Sequence, residues 1–407
     1  MKWHVYQIER FVNSGLAHIQ TGPFGTQLKA SDYVDQGTPV INVRNIGFRD
    51  LRPGQLEYVN GETADRLSVH ILRRNDIVFG RKGAVERHLL VKSEQENWMQ
   101  GSDCIRLRFL TDEVCPRFVS YALLLPEHQR WMLNQAGNKA TMASLNQDVI
   151  RRIPLKLPPC EVQNHIADVL SSYDNLIESN RRRMELLEAT SRLLYSEWFV
   201  RYRFPGYEHT RIVDGVPDGW ERRRIKDLAR VNQQILDSSF DGDIEYVDIS
   251  SVSPGRIDET ASYHTRDAPS RARRVVRHGD IIWSCVRPNR RSHAVIWSPP
   301  ANLIVSTGFA VISPGSVPTS FLYQALTTDA FVRYLEQNAR GAAYPAVVAD
   351  DFERAEILVP QRQLIQTFDD IAEPLLTQFQ LLRIQSQKLR AARDLLLPKL
   401  MSGELAV

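Results

Sequence analysis

Seven arginines stand between Arg271 and Arg291 (Arg271, Arg273, Arg274, Arg277, Arg287, Arg290 and Arg291) against one acid, Asp280. Their chemistry is recognition of phosphates and base edges. An arginine fork takes guanine O6 and N7 as a bidentate pair, and an asparagine such as Asn289 takes adenine N6 and N7. A shorter basic run, Arg81, Lys82 and Arg87, occupies the comparable place in the first half of the chain. Lys139 and Thr141, and Arg340 and Tyr344, fall in two further loops, each ahead of a long helical segment, where phosphate contact is the expected role. A charged loop turned to water would carry the same residues, so charge alone leaves both readings open.

Motifs for other chemistry are missing. There is no Gly-Lys-Ser/Thr loop for a nucleoside triphosphate, no His-Glu-x-x-His or paired Cys-x-x-Cys for zinc, and no Gly-x-Ser-x-Gly elbow. The Asn-Pro-Pro-aromatic motif of an adenine methyltransferase is also missing. Pro217-Asp218-Gly219-Trp220-Glu221 superficially resembles a nuclease metal motif but lies in a turn-rich linker. No catalytic or metal-binding residue is therefore assigned. The net charge of +3 is too small to argue nucleic-acid binding from the total, so that reading rests on local clusters. Four separated cysteines (Cys104, Cys115, Cys160, Cys285) predict reduced core thiols and a cytoplasmic protein. No apolar run reaches the ~18 residues of a membrane span.

Two long helices are the elements that must position these loops. In Val162–Phe199 the residues Val162, Ile166, Val169, Tyr173, Leu176, Leu187 and Leu194 share a heptad phase, with Asn180, Arg183 and Thr190 as polar intrusions. Leu364–Met401 repeats the pattern with Leu364, Phe368, Ile371, Leu375, Leu382, Leu389 and Leu396. Pro374 predicts a break near Glu373, and Ser171-Ser172 a restart at the aligned place. The halves repeat elsewhere too. Asn75-Asp76-Ile77 aligns with Gly279-Asp280-Ile281, and Phe118–Leu123 with Phe321–Leu326. Each half reads as short strands, then a helix (Phe118–Ala136 in the first), then an edge strand. The linker Arg201–Gly219 is rich in Gly and Pro. A duplicated frame with divergent loops fits two modules doing one job on different targets.

At Gln20-Thr21-Gly22-Pro23-Phe24-Gly25-Thr26-Gln27-Leu28-Lys29, at Gly37–Val43, at the Asn75 and Gly279 turns, and above all at Tyr173–Asn180 running to Leu193–Phe199, the chain resembles the specificity subunit of a type I restriction-modification system. The resemblance covers essentially the whole chain; it departs at Asn75, where the pattern has Gly, and at Pro374. It implies an α+β fold with two pseudo-symmetric mixed α/β target-recognition domains, residues 1–158 and 205–358. Two long antiparallel helices forming a coiled coil, within 159–204 and 359–407, would separate them and set the gap between two half-sites. The implied partners are double-stranded DNA, two modification (methyltransferase) subunits and restriction subunits. No cofactor belongs to this chain: S-adenosylmethionine would sit in the modification subunits, ATP and Mg2+ in the restriction subunits. Trp198 and Phe199 are candidate anchors for the modification subunits, or else caps of the helical core. The runner-up function is a coiled-coil protein–protein adaptor with duplicated binding modules and no DNA role; a nuclease with an unrecognised site comes third.

Overall fold

Short apolar runs punctuated by Gly and Pro become strands in both halves, and the periodic segments become helices. The computed structural model describes residues 3–52, 54–136, 144–341 and 343–405. It divides into two units, Met1–Glu178 with Gln387–Val407, and Ser179–Ser386. The division runs through the middle of both long helices, so each unit holds half of each helix.

In the first unit β1 (Ala17–Thr21), β2 (Ile77–Gly80) and β3 (Cys104–Phe109) lie in a five-stranded sheet, with β3 between the other two and antiparallel to both. His88–Leu90 and Phe48–Arg49 complete it. A four-stranded sheet of Tyr33–Val34, Glu57–Val59, Thr38–Ile41 and Met99–Gln100 accompanies it. The predicted edge strand forms at Pro154–Leu157 and pairs with His4–Gln7. The helix expected over Phe118–Ala136 is two, Pro116–Ala122 and Pro126–Ala136. Pro126 disfavours the helical region for the residue before it and restarts the chain as a first-turn proline.

The first long helix, α1 (Cys160–Tyr195), runs without interruption and ends in a π-turn, Ser196–Val200. The second unit then repeats the frame. β4 (Ala229–Val231), β5 (Ile281–Ser284) and β6 (Phe309–Pro314) form a sheet with His293–Val295, β6 between β4 and β5 and antiparallel to both. Asn75 and Gly279 both take left-handed backbone, with φ of 72° and 87°. Asparagine is one of the few residues that tolerates this, which explains its standing in for glycine. The next residue closes each turn alike: the Asp76 carboxylate accepts from the Arg73 N–H and the Asp280 carboxylate from the Arg277 N–H, both at 2.7 Å.

The second long helix, α2 (Arg362–Ser402), passes straight through Pro374 and Pro398. Neither the expected break near Glu373 nor a restart at Ser171-Ser172 occurs. Pro374 and the residue whose carbonyl it orphans, Asp370, are both exposed, so water can take the lost hydrogen bond. Within each unit the two helix segments run antiparallel. Ile166, Ala167 and Leu170 share the first core with Leu397, Leu400 and Met401. In the second unit Asn180 Nδ2 donates to Gln385 Oε1 at 3.2 Å, and the far ends meet where Trp198 and Phe199 pack on Phe368. The heptad phase is corrected in detail. Leu176 and Ile371 are 50% and 44% exposed, and Met184 and Ser191 take the places expected for Arg183 and Thr190. A straight helix drifts by roughly 20° per heptad, which moves the stripe one residue on after three heptads. Asn180 does lie on the seam, at 4% exposure.

Candidate nucleic-acid interface

β1 and β2 both end where β3 begins, so the loops leaving them emerge at one end of the sheet. The Arg81–Lys82 loop leaves β2. Its backbone is fixed on both sides: the Arg81 N–H donates to the Asp103 carbonyl at 2.8 Å, and the Leu145 N–H donates to the Arg81 carbonyl at 2.8 Å. Lys82 is exposed and lies 3.6 Å from Asp103. Arg87 does not extend this tip. It is half-buried, with its guanidinium 5.4 Å from the Phe48 ring centroid and its Nε 3.8 Å from Glu86. Lys139 and Thr141 lie outside the described residues.

The second unit builds the same edge with different side chains. The Cys285 N–H donates to the Gly308 carbonyl, and the Val347 N–H to the Cys285 carbonyl, so Cys285 holds the place of Arg81. Val286 bridges Ala346 as Lys82 bridges Ser144. The following residues are Gly83, left-handed at φ 79°, and Arg287, left-handed at φ 52°. An arginine occupies a conformation that its counterpart reaches with glycine. Arg291 is left-handed too, at φ 53°, on the far side of a single 3-10 turn, Pro288–Arg290. Left-handed backbone costs a non-glycine residue about 1 kcal/mol or more, a cost that recurs at functional sites.

Tyr344 and Arg287 form a pair. The guanidinium lies 4.6 Å from the ring centroid, the Arg287 N–H donates to the Pro345 carbonyl at 2.7 Å, and the ring is 69% exposed. An arginine held over an aromatic face keeps its fork while losing rotamer freedom. Arg291 is tied instead to Asp329 at 2.5 Å, a contact that holds the Asp329 carboxyl below its usual pKa. Asn289 and Arg290 are exposed at the tip. Arg340 is exposed, and its backbone exchanges hydrogen bonds with Ala346, next to the Pro345 carbonyl that accepts from Arg287. The structure therefore brings Arg287, Asn289, Arg290, Arg291, Arg340 and Tyr344 to one edge, and in the first unit places Arg81 and Lys82 at the matching edge.

Residues 9–189 match the family model described as the type I restriction modification DNA specificity domain. That stretch belongs to the type I specificity-domain family. The specificity subunit of the type I restriction enzyme MjaIX from Methanocaldococcus jannaschii is 23% identical over 305 residues, 73% of this chain and 70% of the relative. A putative MjaX specificity subunit from the same organism is 20% identical over 393 residues, 91% and 88% of the two chains. The crystal structure of the type I restriction-modification S subunit from M. genitalium superposes with a TM-score of 0.61 at 15% identity, covering 98% of this chain and 96% of that one. That likeness supports the mixed α/β fold with long helices.

Two features of the chain depend on contacts between distant residues. Trp198 and Phe199 are buried, at 7% and 5% exposure, among Phe368, Phe321 and Trp220. They build the core of the second unit, the second of the two readings open from sequence, and are not exposed anchors. Instead Leu186, Leu193 and Val200, seven residues apart, are 57–68% exposed. In the first unit Asp174 ties both long helices to Arg49 and Tyr121. One carboxylate oxygen accepts from Arg49 Nη1 and the Tyr121 hydroxyl, each at 2.5 Å, and the other from Arg393 Nη1 at 2.6 Å. Burial lowers the pKa of Arg49, whose guanidinium lies 3.6 Å from the Tyr121 ring centroid. No sequence signal links residues 125 positions apart. Among the described residues no cluster of three or more metal-type ligands occurs, and no helix is long and apolar enough to cross a membrane.

Proposed function

We propose that this specificity subunit reads a bipartite duplex DNA target, one half-site per unit, and directs adenine methylation or cleavage by its partners. The observation that carries the reading is the Arg287–Tyr344 pair: a charged fork held in a strained backbone at a loop end, where the repeat of the same frame has Gly83. Nothing in core packing accounts for that arginine. Arg287 meets a base edge, and Arg290, Arg340 and Lys82 meet phosphates. The test is Arg287→Ala beside Arg340→Ala. The first should cost about 1–3 kcal/mol and relax one position of one half-site; the second should weaken all sequences alike and reduce the salt dependence of binding. Equal, sequence-independent losses from both would assign Arg287 to phosphate.

Partner subunits complete the assembly. The exposed stripe Leu186, Leu193 and Val200 is the proposed seat of a modification subunit, since apolar residues repeated on one helix face offer a continuous contact. Leu193→Asp should abolish co-purification of that subunit while leaving DNA binding by the chain intact. In this reading S-adenosylmethionine stays in the modification subunits, ATP and Mg2+ in the restriction subunits, and the chain itself performs no bond chemistry.

A further inference from the structure

The stretch Gln20–Lys29 holds an exposed aromatic residue on a glycine-bounded turn. It leaves β1 at the same sheet end as the Arg81–Lys82 loop leaves β2. β1 and β2 flank β3, so the two loops start about 10 Å apart, two strand spacings. Phe24 tops this turn and is 61% exposed.

The turn is built to hold that ring in solvent. The Gly22 N–H donates to the Cys104 carbonyl at 2.9 Å, and a Cβ on Gly22 would stand 1.9 Å from the Gly101 carbonyl oxygen. Only glycine lets the backbone lie that close. Pro23 is buried, and Gly25 turns the chain at φ 63°. Below the turn Gln147 Nε2 donates to Thr21 Oγ1 at 2.9 Å, and Arg66 Nη1 donates to the Gln27 carbonyl at 2.8 Å. An aromatic ring on a fixed turn is available for contact at little entropic cost.

The second unit also exposes an apolar residue in the corresponding segment. The segment leaving β4 carries Ile235, 63% exposed, whose backbone bridges Arg274 in the arginine-rich strand Ala272–Val275. Both segments are free of acids: none occurs from His18 to Ser31, or from Leu228 to Leu236. Unrelated side chains at the two places share an exposed apolar character, beside a basic loop in the first unit and a basic strand in the second. That combination suits a polyanion whose bases are to be touched, because the basic groups hold the backbone while the apolar group meets base surface.

We propose that Phe24 contacts the bases of the first half-site directly and sets part of its sequence preference. The inference rests on the DNA-reading function above. Its test is selection of bound duplexes from a random-sequence pool by the full-length chain, comparing wild type with Phe24→Ala, Phe24→Trp and Arg287→Ala. Phe24→Ala should melt as wild type does. Its selected motif should lose information at one or two adjacent positions of the half-site that Arg287→Ala leaves intact. Affinity for the wild-type site should fall about fivefold to a hundredfold, the range for loss of one base–aromatic contact. Phe24→Trp should retain the motif. An unchanged motif with affinity within twofold would overturn this inference alone, as would a loss spread evenly over all sequences. Failure of the wild-type chain to select any duplex would overturn the DNA-reading function together with it.

Discussion

Replacing Asp174 by leucine removes the one carboxylate paired with Arg49 among the described residues. The Arg49 and Asp174 side chains are 9% and 20% exposed, so the guanidinium cannot reach water without moving the domain. Arg49 Nε is already buried without a partner, and the Tyr121 hydroxyl loses its strongest acceptor. Breaking a buried ion pair from one side costs about 3–5 kcal/mol. The partial exposure of Asp174 places the expectation near the lower end, about 3 kcal/mol, with Asp174→Asn smaller because the amide oxygen still accepts one bond. Arg393 keeps Asp394 at 2.8 Å and suffers less. Urea unfolding followed by tryptophan fluorescence reads the loss. The double variant Arg49→Met/Asp174→Leu should recover most of it, since an apolar pair of similar volume avoids the stranded charge. A loss below 1 kcal/mol for Asp174→Leu, or no recovery in the double variant, would refute the reasoning. The second unit supplies the contrast. The Arg52 N–H donates to the Asn45 carbonyl as the Asp258 N–H donates to the Ser251 carbonyl. That match sets Gly255, φ 77°, in the place of Arg49, φ 71°. Gln324 there donates to Ser191 at 2.9 Å, a neutral seat in place of a charged clamp.

Acid should destabilise both units through matched histidines. His88 donates to or accepts from Ser120 at 2.9 Å, and His293 meets the Tyr323 hydroxyl at 3.2 Å. Burial pushes each imidazole down to about 3. The unfolded chain therefore binds protons that the folded chain refuses between pH 6.5 and about 3, and stability falls as pH drops through that window. Each histidine contributes about 1.4 kcal/mol per pH unit there. His88→Gln should lower the slope of unfolding free energy against pH between 6 and 4.5 by that amount; an unchanged slope would show that His88 is not held neutral.

Much of the frame was legible. The duplicated turns at Asn75 and Gly279, the strands after them and the extents of both long helices follow from turn chemistry and periodicity, which are local. What failed was non-local. A proline in a sequence does not say whether its orphaned carbonyl faces water, and at Pro374 it does. A strict seven-residue repeat misassigned Leu176 and Ile371 because the helix keeps its own period. Trp198 and Phe199 could anchor a partner or fill a core, and only the positions of Phe321, Phe368 and Trp220 decide for the core. The basic loop of the second unit was visible as charge, but its pairing with Tyr344 depends on a second loop more than 50 residues away. Equating Arg81–Arg87 with Arg287–Arg291 matched the loops and not the residues, since Cys285 holds the place of Arg81.

In the proposed function one chain carries two different readers, one per unit, on behalf of other subunits. Mapping methylated adenines genome-wide in cells with and without this chain tests it most directly. The account predicts a single split motif whose methylation appears only with the chain, and in which Arg287→Ala alters one half alone. Identical maps with and without the chain, or a motif altered in both halves by that one substitution, would contradict it.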